Sequence, residues 1–217
     1  MAKTILICGK QASGKTVSLR NLPPEHTFWI DSDGKFDQWK GFSKQYNKKN
    51  KNYAKTNDMN QILNLMQLIE KQPQIHYLVL DTINSVMTKA EMSNDAPSGN
   101  GFQKYKAIGE FGYNIVERGN AMRDNLVIIF VGHTAGNDDG FEELIVTGKK
   151  LEKIKLSGYI SVVIICRHED GKYKYIIRSD DSSARVPFGY FEGVDETDND
   201  IMLVLKELEW TDNTETK

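Results

Sequence analysis

The chain has 217 residues, 39% of them hydrophobic and 27% charged, and its 28 Lys plus Arg nearly cancel 30 Asp plus Glu for a net charge of −2. Such a composition supports a packed core and excludes both a disordered chain and a uniformly basic nucleic-acid binder. The mean hydropathy is −0.50, and the longest apolar run, Leu126 to Val131, is far short of the roughly 20 residues that span a bilayer.

The first apolar run, Thr4 to Cys8, reads as a buried strand and is too short for a signal-peptide core. It leads into GKQASGKT, which fits the phosphate-loop pattern GxxxxGK[ST] in full. Here Gly9, Lys10, Gln11, Ala12, Ser13 and Gly14 turn the backbone so that its N–H groups converge on phosphate oxygens. Lys15 supplies a charge to the β- and γ-phosphates, and Thr16 offers a hydroxyl to Mg²⁺. Val17 to Asn21 is compatible with the helix that should follow.

Thr27 to Ile30 is a weaker strand, and FWIDSDGK after it presents Asp31 and Asp33, either able to orient water near a γ-phosphate. From Lys35 to Lys55, seven lysines (35, 40, 44, 48, 49, 51 and 55) face one acid, Asp37, for a local charge of +6. Phe36, Trp39, Phe42, Tyr46 and Tyr53 are interleaved, a composition suited to single-stranded nucleic acid and equally to a solvated lysine face over core aromatics.

Met59, Ile62, Leu63, Met66 and Ile69 recur at helical spacing within Asp58 to Lys71, with Asn57 or Asp58 as N-cap. The strand His76 to Leu80 ends at Asp81, a carboxylate placed to hold Mg²⁺ directly or through water. Ser93 to Gly101 is turn-rich, and Phe102 to Arg123 is a long helical candidate in which Arg118 and Arg123 add positive charge. The strand Leu126 to Val131 aims His133 at the carboxyl edge of the sheet, where open α/β sheets bind ligands. Thr134 to Gly140 reads as a loop. A second basic cluster follows at Lys149, Lys150, Lys153 and Lys155, then strands at Tyr159 to Cys166 and Tyr173 to Arg178. Cys8 and Cys166 both sit in apolar runs, as small buried hydrophobes in a reducing, cytoplasmic setting. From Glu192 to Lys217 nine acids face two lysines, a local charge of −7, with Asp200 to Leu208 a short helix and Thr211 to Lys217 frayed.

Strands alternating with helices predict an α/β fold with a mostly parallel central sheet flanked by helices. The arrangement of Gly9 to Thr16, the acids of DSD, Asp81, His133 and the Gly148–Lys149–Lys150 segment before a further strand resembles the RecA-like core of the additional-strand P-loop ATPases. Within that class it is similar to the small phage-encoded ATPases of single-strand annealing and recombination. The resemblance covers residues 1–190, leaving 191–217 as an acidic C-terminal segment, and places the protein in the host cytosol if phage-encoded.

It implies that Lys15 and Thr16 bind ATP·Mg²⁺, that Asp81 is the second Mg²⁺ ligand, and that Asp33 replaces the catalytic glutamate of RecA proteins. It gives His133 the place of a polar sensor, the segment from His133 to Gly158 a role in DNA contact, and Arg178 or Arg185 a reach into a neighbour's ATP. Asp33 is one methylene shorter than Glu, which predicts slow hydrolysis. The phosphate loop begins at residue 9, leaving no room for the segment by which RecA proteins polymerise, although another homo-oligomer is compatible. The expected partners are single-stranded DNA, together with a single-strand-binding protein or another replication or recombination protein, and no membrane. Two alternatives share the phosphate loop. One is an ATP-dependent loader or regulator working through protein contacts. The other is a small-molecule or nucleoside kinase, disfavoured because Thr134 to Gly140 has no Arg or Lys for a phosphate lid. TKAE at Thr88 to Glu91 does not complete a guanine motif.

Overall fold

A computed structural model describes residues 1–35, 37–92, 112–136, 140–146 and 155–211. Among these the chain forms nine strands and five helices: β1 (Lys3–Gly9), β2 (Thr27–Asp31), α1 (Phe42–Gln45), β3 (Tyr53–Lys55), α2 (Met59–Glu70), β4 (Tyr77–Asp81), α3 (Ile83–Met92), α4 (112–120), β5 (Val127–Gly136), β6 (Glu142–Leu144), β7 (Val162–Glu169), β8 (Lys172–Ile176), β9 (Glu196–Asp198) and α5 (Ile201–Glu207). The sheet runs β3-β2-β4-β5-β1-β7-β8-β9, with β6 paired to β5 alone. The six strands from β3 to β7 in that order are parallel, and β8, β9 and β6 are antiparallel additions.

The central strands are buried on both faces, which is why they read as continuous apolar runs. Alternate residues nonetheless divide between two cores. Leu6, Leu80, Phe130 and Ile165 pack with Ile62, Met66 and Ile69 of α2 and with Val86 of α3. Ile5, Ile7, Val79 and Ile129 face the opposite layer, with Leu19, Phe42, Val204 and Leu205. The result is three layers, with helices on both faces of the sheet. Asp58 caps α2 by accepting from the Gln61 N–H at 2.8 Å, and Arg123 closes its far end by donating to the carbonyls of Ile69 and Gln72. Arg123 is thereby a helix clamp, not part of a basic surface.

Two expectations are corrected. Val17 to Asn21 holds only a single 3-10 turn, Val17–Leu19. Thr134, Ala135 and Gly136 are not loop but extend β5, because Glu142–Leu144 pairs with them across the hairpin. The acidic segment from 191 also contributes to the fold: β9 adds to β8, and Phe191, Ile201, Val204, Leu205 and Leu208 are buried in the same core as Ile5 and Ile7. The acids at 192, 195, 196, 198, 207 and 209 decorate the outside of that folded segment. Lys149, Lys150, Lys153, the Ser93 to Gly101 loop and residues 212–217 lie outside the described residues. Among those described, no helix is long and apolar enough to cross a membrane.

Candidate nucleotide site

The sheet register brings the candidate residues to one edge. Gly9 at the end of β1 is level with His133 of β5 and Cys166 of β7, and Asp31 is level with Asp81 of β4. The strand β5 lies between β1 and β4, so Asp81 meets the loop after β1 across an intervening strand.

The loop itself demands glycine. A Cβ on Gly9 would stand 2.4 Å from Ser13 Oγ and 2.6 Å from the Cys166 carbonyl oxygen. Gly14 has φ +92°, and a Cβ there would come within 2.8 Å of the Tyr173 ring. Lys15 is buried, and its Nζ donates to the carbonyls of Gly9 (2.9 Å) and Lys10 (2.6 Å), so the ammonium is folded over the loop. Burial lowers its pKa, with the nearby thiols and Asp81 opposing that shift.

Thr16 donates its hydroxyl to Asp81 Oδ2 at 2.9 Å. Asp81 is only 2% exposed, and its other oxygen, Oδ1, is buried with no hydrogen-bond partner. Burial, seconded by repulsion from Asp33 and Asp31, pushes its carboxyl up to about 7, against the Thr16 hydroxyl and Lys35. An orphaned carboxylate oxygen beside a threonine hydroxyl fits a divalent cation that takes its remaining ligands from phosphate and water.

Asp31 and Asp33 separate in role. Asp31 is fully buried and accepts from Tyr53 Oη (2.8 Å) and the Gly34 N–H (2.7 Å), so it builds the turn. Asp33 is half-buried, accepts from Thr82 Oγ1 at 3.0 Å, and pairs with Lys35 at 2.6 Å. Burial works to raise its pKa, but the Lys35 and Thr82 contacts outweigh burial and hold it below the usual carboxylate range. His133 lies within the fields of Lys15 and Asp33. Burial first and Lys15 second lower its pKa, which keeps the ring neutral at pH 7. Its backbone N–H is fixed by Asn84 Oδ1 at 2.8 Å, and Asn84 Nδ2 donates to the Ile145 carbonyl, tying α3 to the β5–β6 hairpin. Beside the loop a cavity of about 550 Å³ runs from Lys10 and Gln11 to Glu142, Arg167 and Asp181. Arg167 bridges the two acids, at 3.4 Å and 2.9 Å.

Other candidates are placed elsewhere. Arg178 donates to the carbonyls of Phe191 and Tyr190, both at 2.6 Å, and Arg185 to those of Ile160 and Ser157. Both guanidiniums thus tie this chain's own backbone. Lys155 pairs with Glu143. Lys35, Lys40, Lys44, Lys48, Lys49 and Lys51 are all exposed. Of the interleaved aromatics, Phe36 lies outside the described residues; Phe42 and Tyr46 are buried against Trp29, Trp39 packs edge-on to Trp29 and Phe42, and Tyr53 is half-buried. The exposed lysines thus stand over a floor of packed aromatics, an arrangement compatible with both readings of this window. Sequence reasoning missed Thr82 and Asn84, which carry no motif, and treated Lys35 as one of the surface lysines when it is the ion-pair partner of Asp33. Both cysteines are buried free thiols. No protein-family model matches the chain, and no curated protein matches it.

Proposed function

We propose that the protein binds and slowly hydrolyses Mg²⁺·ATP on a RecA-like core, and that it acts with single-stranded DNA. The observation that carries the nucleotide reading is the Thr16–Asp81 contact, with Asp81 Oδ1 left unpartnered beside the lysine-bearing loop. The strand order, with β5 between β1 and β4, supports the additional-strand class. Thr16 and Asp81 are the residues to hold Mg²⁺, which when bound neutralises charge on the phosphates. Loop N–H groups and Lys15 hold the phosphates, Lys15 exchanging its carbonyl partners for phosphate oxygens.

Asp33, ionised at neutral pH, orients water toward the γ-phosphorus. The water oxygen bonds to phosphorus, and the bridging P–O bond breaks with its electron pair leaving on ADP. The water's proton passes through Asp33 to solvent. A carboxylate held below its usual pKa is a weak base, which fits slow turnover. Neutral His133 offers an N–H to the γ-phosphate oxygens.

The nucleic-acid part is supported by exposed Lys40, Lys44, Lys48, Lys49 and Lys51, a charge surface that neutralises phosphates. ATP turnover measured alone, with single strands, with duplex and with small-molecule acceptors tests the whole reading. Stimulation by single strands is the expected result. A phosphorylated acceptor would overturn it in favour of a kinase, and stimulation by none of them would favour a protein-directed loader.

A further inference from the structure

The lysine face and the nucleotide site share one residue. Lys35 opens the +6 window and is itself half-exposed, yet its ammonium sits 2.6 Å from Asp33 Oδ2. The same side chain lines a cleft of about 170 Å³ together with Phe42, Ser43, Tyr46, Asn47, Lys48 and Tyr53. Asp37 lines it too, its Oδ1 accepting from the Ser43 N–H at 3.2 Å. The volume suits a single phosphate group with a few waters, each of roughly 30 Å³. Two lysines at such a cleft attract an anion, and exposed Lys44, Lys49 and Lys51 extend the attraction along a chain of phosphates. Among the described residues, Phe42 and Tyr46 are buried beneath the lysines, so phosphate attraction is the main contribution of this surface.

We infer that a phosphate of single-stranded DNA seated between Lys35 and Lys48 competes with Asp33 for the Lys35 ammonium, and that release of Asp33 is how nucleic-acid binding accelerates ATP hydrolysis. Without nucleic acid, Lys35 occupies the oxygen that water must approach. With it, Asp33 keeps only the Thr82 hydroxyl and regains basicity. The inference rests on the nucleotide reading above. Exposed ion pairs bias their partners by about two- to fivefold, and that factor sets the expected size of the effect.

The test compares wild type, Lys35→Gln and Lys35→Arg, reading nucleotide affinity by titration and turnover with and without an oligothymidylate. Lys35→Gln should bind Mg²⁺·ATP within about twofold of wild type, because the ammonium lies on Asp33 and not in the phosphate loop. Its basal turnover should rise about two- to fivefold, with stimulation by the oligonucleotide largely lost. Lys35→Arg, which keeps the pair, should restore the low basal rate. A basal rate at or below wild type in Lys35→Gln, or undiminished stimulation, would overturn the inference. Equal stimulation by heparin would overturn single-stranded DNA as the occupant. Absence of ATP binding in wild type would instead sink the nucleotide reading on which this one stands.

Discussion

Replacing Asp81 by Asn removes one charge from the place where the fold tolerates it least. The folded carboxyl titrates near 7, raised first by burial and then by Asp33, whereas in the unfolded chain an aspartate titrates at about 4. A shift of about three units at 1.36 kcal/mol each amounts to about 4 kcal/mol. The folded state holds the extra proton, so this stability is fully present below about pH 4, is lost as pH rises through about 7, and stays lost above. The asparagine has no such dependence. Its NH₂ group, set where Oδ1 is now unpartnered, adds a pH-independent penalty of about 1–3 kcal/mol. Asp33, whose pKa is depressed, contributes the opposite slope, stability lost as pH falls, but it does so in both proteins and largely cancels in the difference.

Urea unfolding with EDTA, from pH 5 to pH 8, should therefore show Asp81→Asn gaining steadily on wild type, and overtaking it by about 1–3 kcal/mol at pH 8. Added Mg²⁺ with nucleotide should stabilise wild type alone. A stability difference that stays flat across this range would refute the reasoning.

Phe42→Ala should cost about 3–5 kcal/mol in chemical denaturation, because the ring is buried among Trp29, Trp39 and Tyr46; a loss below about 1 kcal/mol would put the ring outside the core. Lys48→Ala and Lys49→Ala should change stability by less than about 0.5 kcal/mol while lowering single-strand affinity at low salt, as salt titrations would register. Deleting residues 212–217 removes Asp212 and Glu215 but also Lys217, so salt-dependent DNA affinity should barely move. Exchanging Glu192, Asp195 and Glu196 for glutamines should raise it, since those acids are exposed on the folded surface.

The parts legible in the sequence were those fixed by local chemistry. The glycine spacing of residues 9–14 matches a turn whose space at Gly9 and φ at Gly14 require glycine, and the parallel strands were legible because burial on both faces makes them continuous apolar runs. Asp81 was legible as the residue that ends a buried strand, and it ends β4. What remained illegible depends on partners distant in sequence. Thr134 to Gly136 has turn composition, yet becomes strand because Glu142–Leu144 supplies the ladder and Thr134 donates to Glu142 at 2.6 Å. Trp39, Phe42 and Tyr46 of the lysine window gave no sign of which face they occupy; in the fold they gather on Trp29 of β2. Arg178 and Arg185 looked available because their acceptors are backbone carbonyls, which have no sequence signature. The short helix expected over Asp200 to Leu208 is observed as Ile201–Glu207, but that Ile201, Val204, Leu205 and Leu208 join the core was not legible, because charge outnumbers them along the acidic segment.

The central claim is that the loop from Gly9 to Thr16 holds the phosphates of ATP. Calorimetric titration of Mg²⁺·ATP into wild type and Lys15→Ala, with circular dichroism to verify folding, tests it most directly. Saturable binding by wild type, lost in a folded Lys15→Ala, is the predicted result. Undiminished binding in that variant, or none in wild type, would contradict the account.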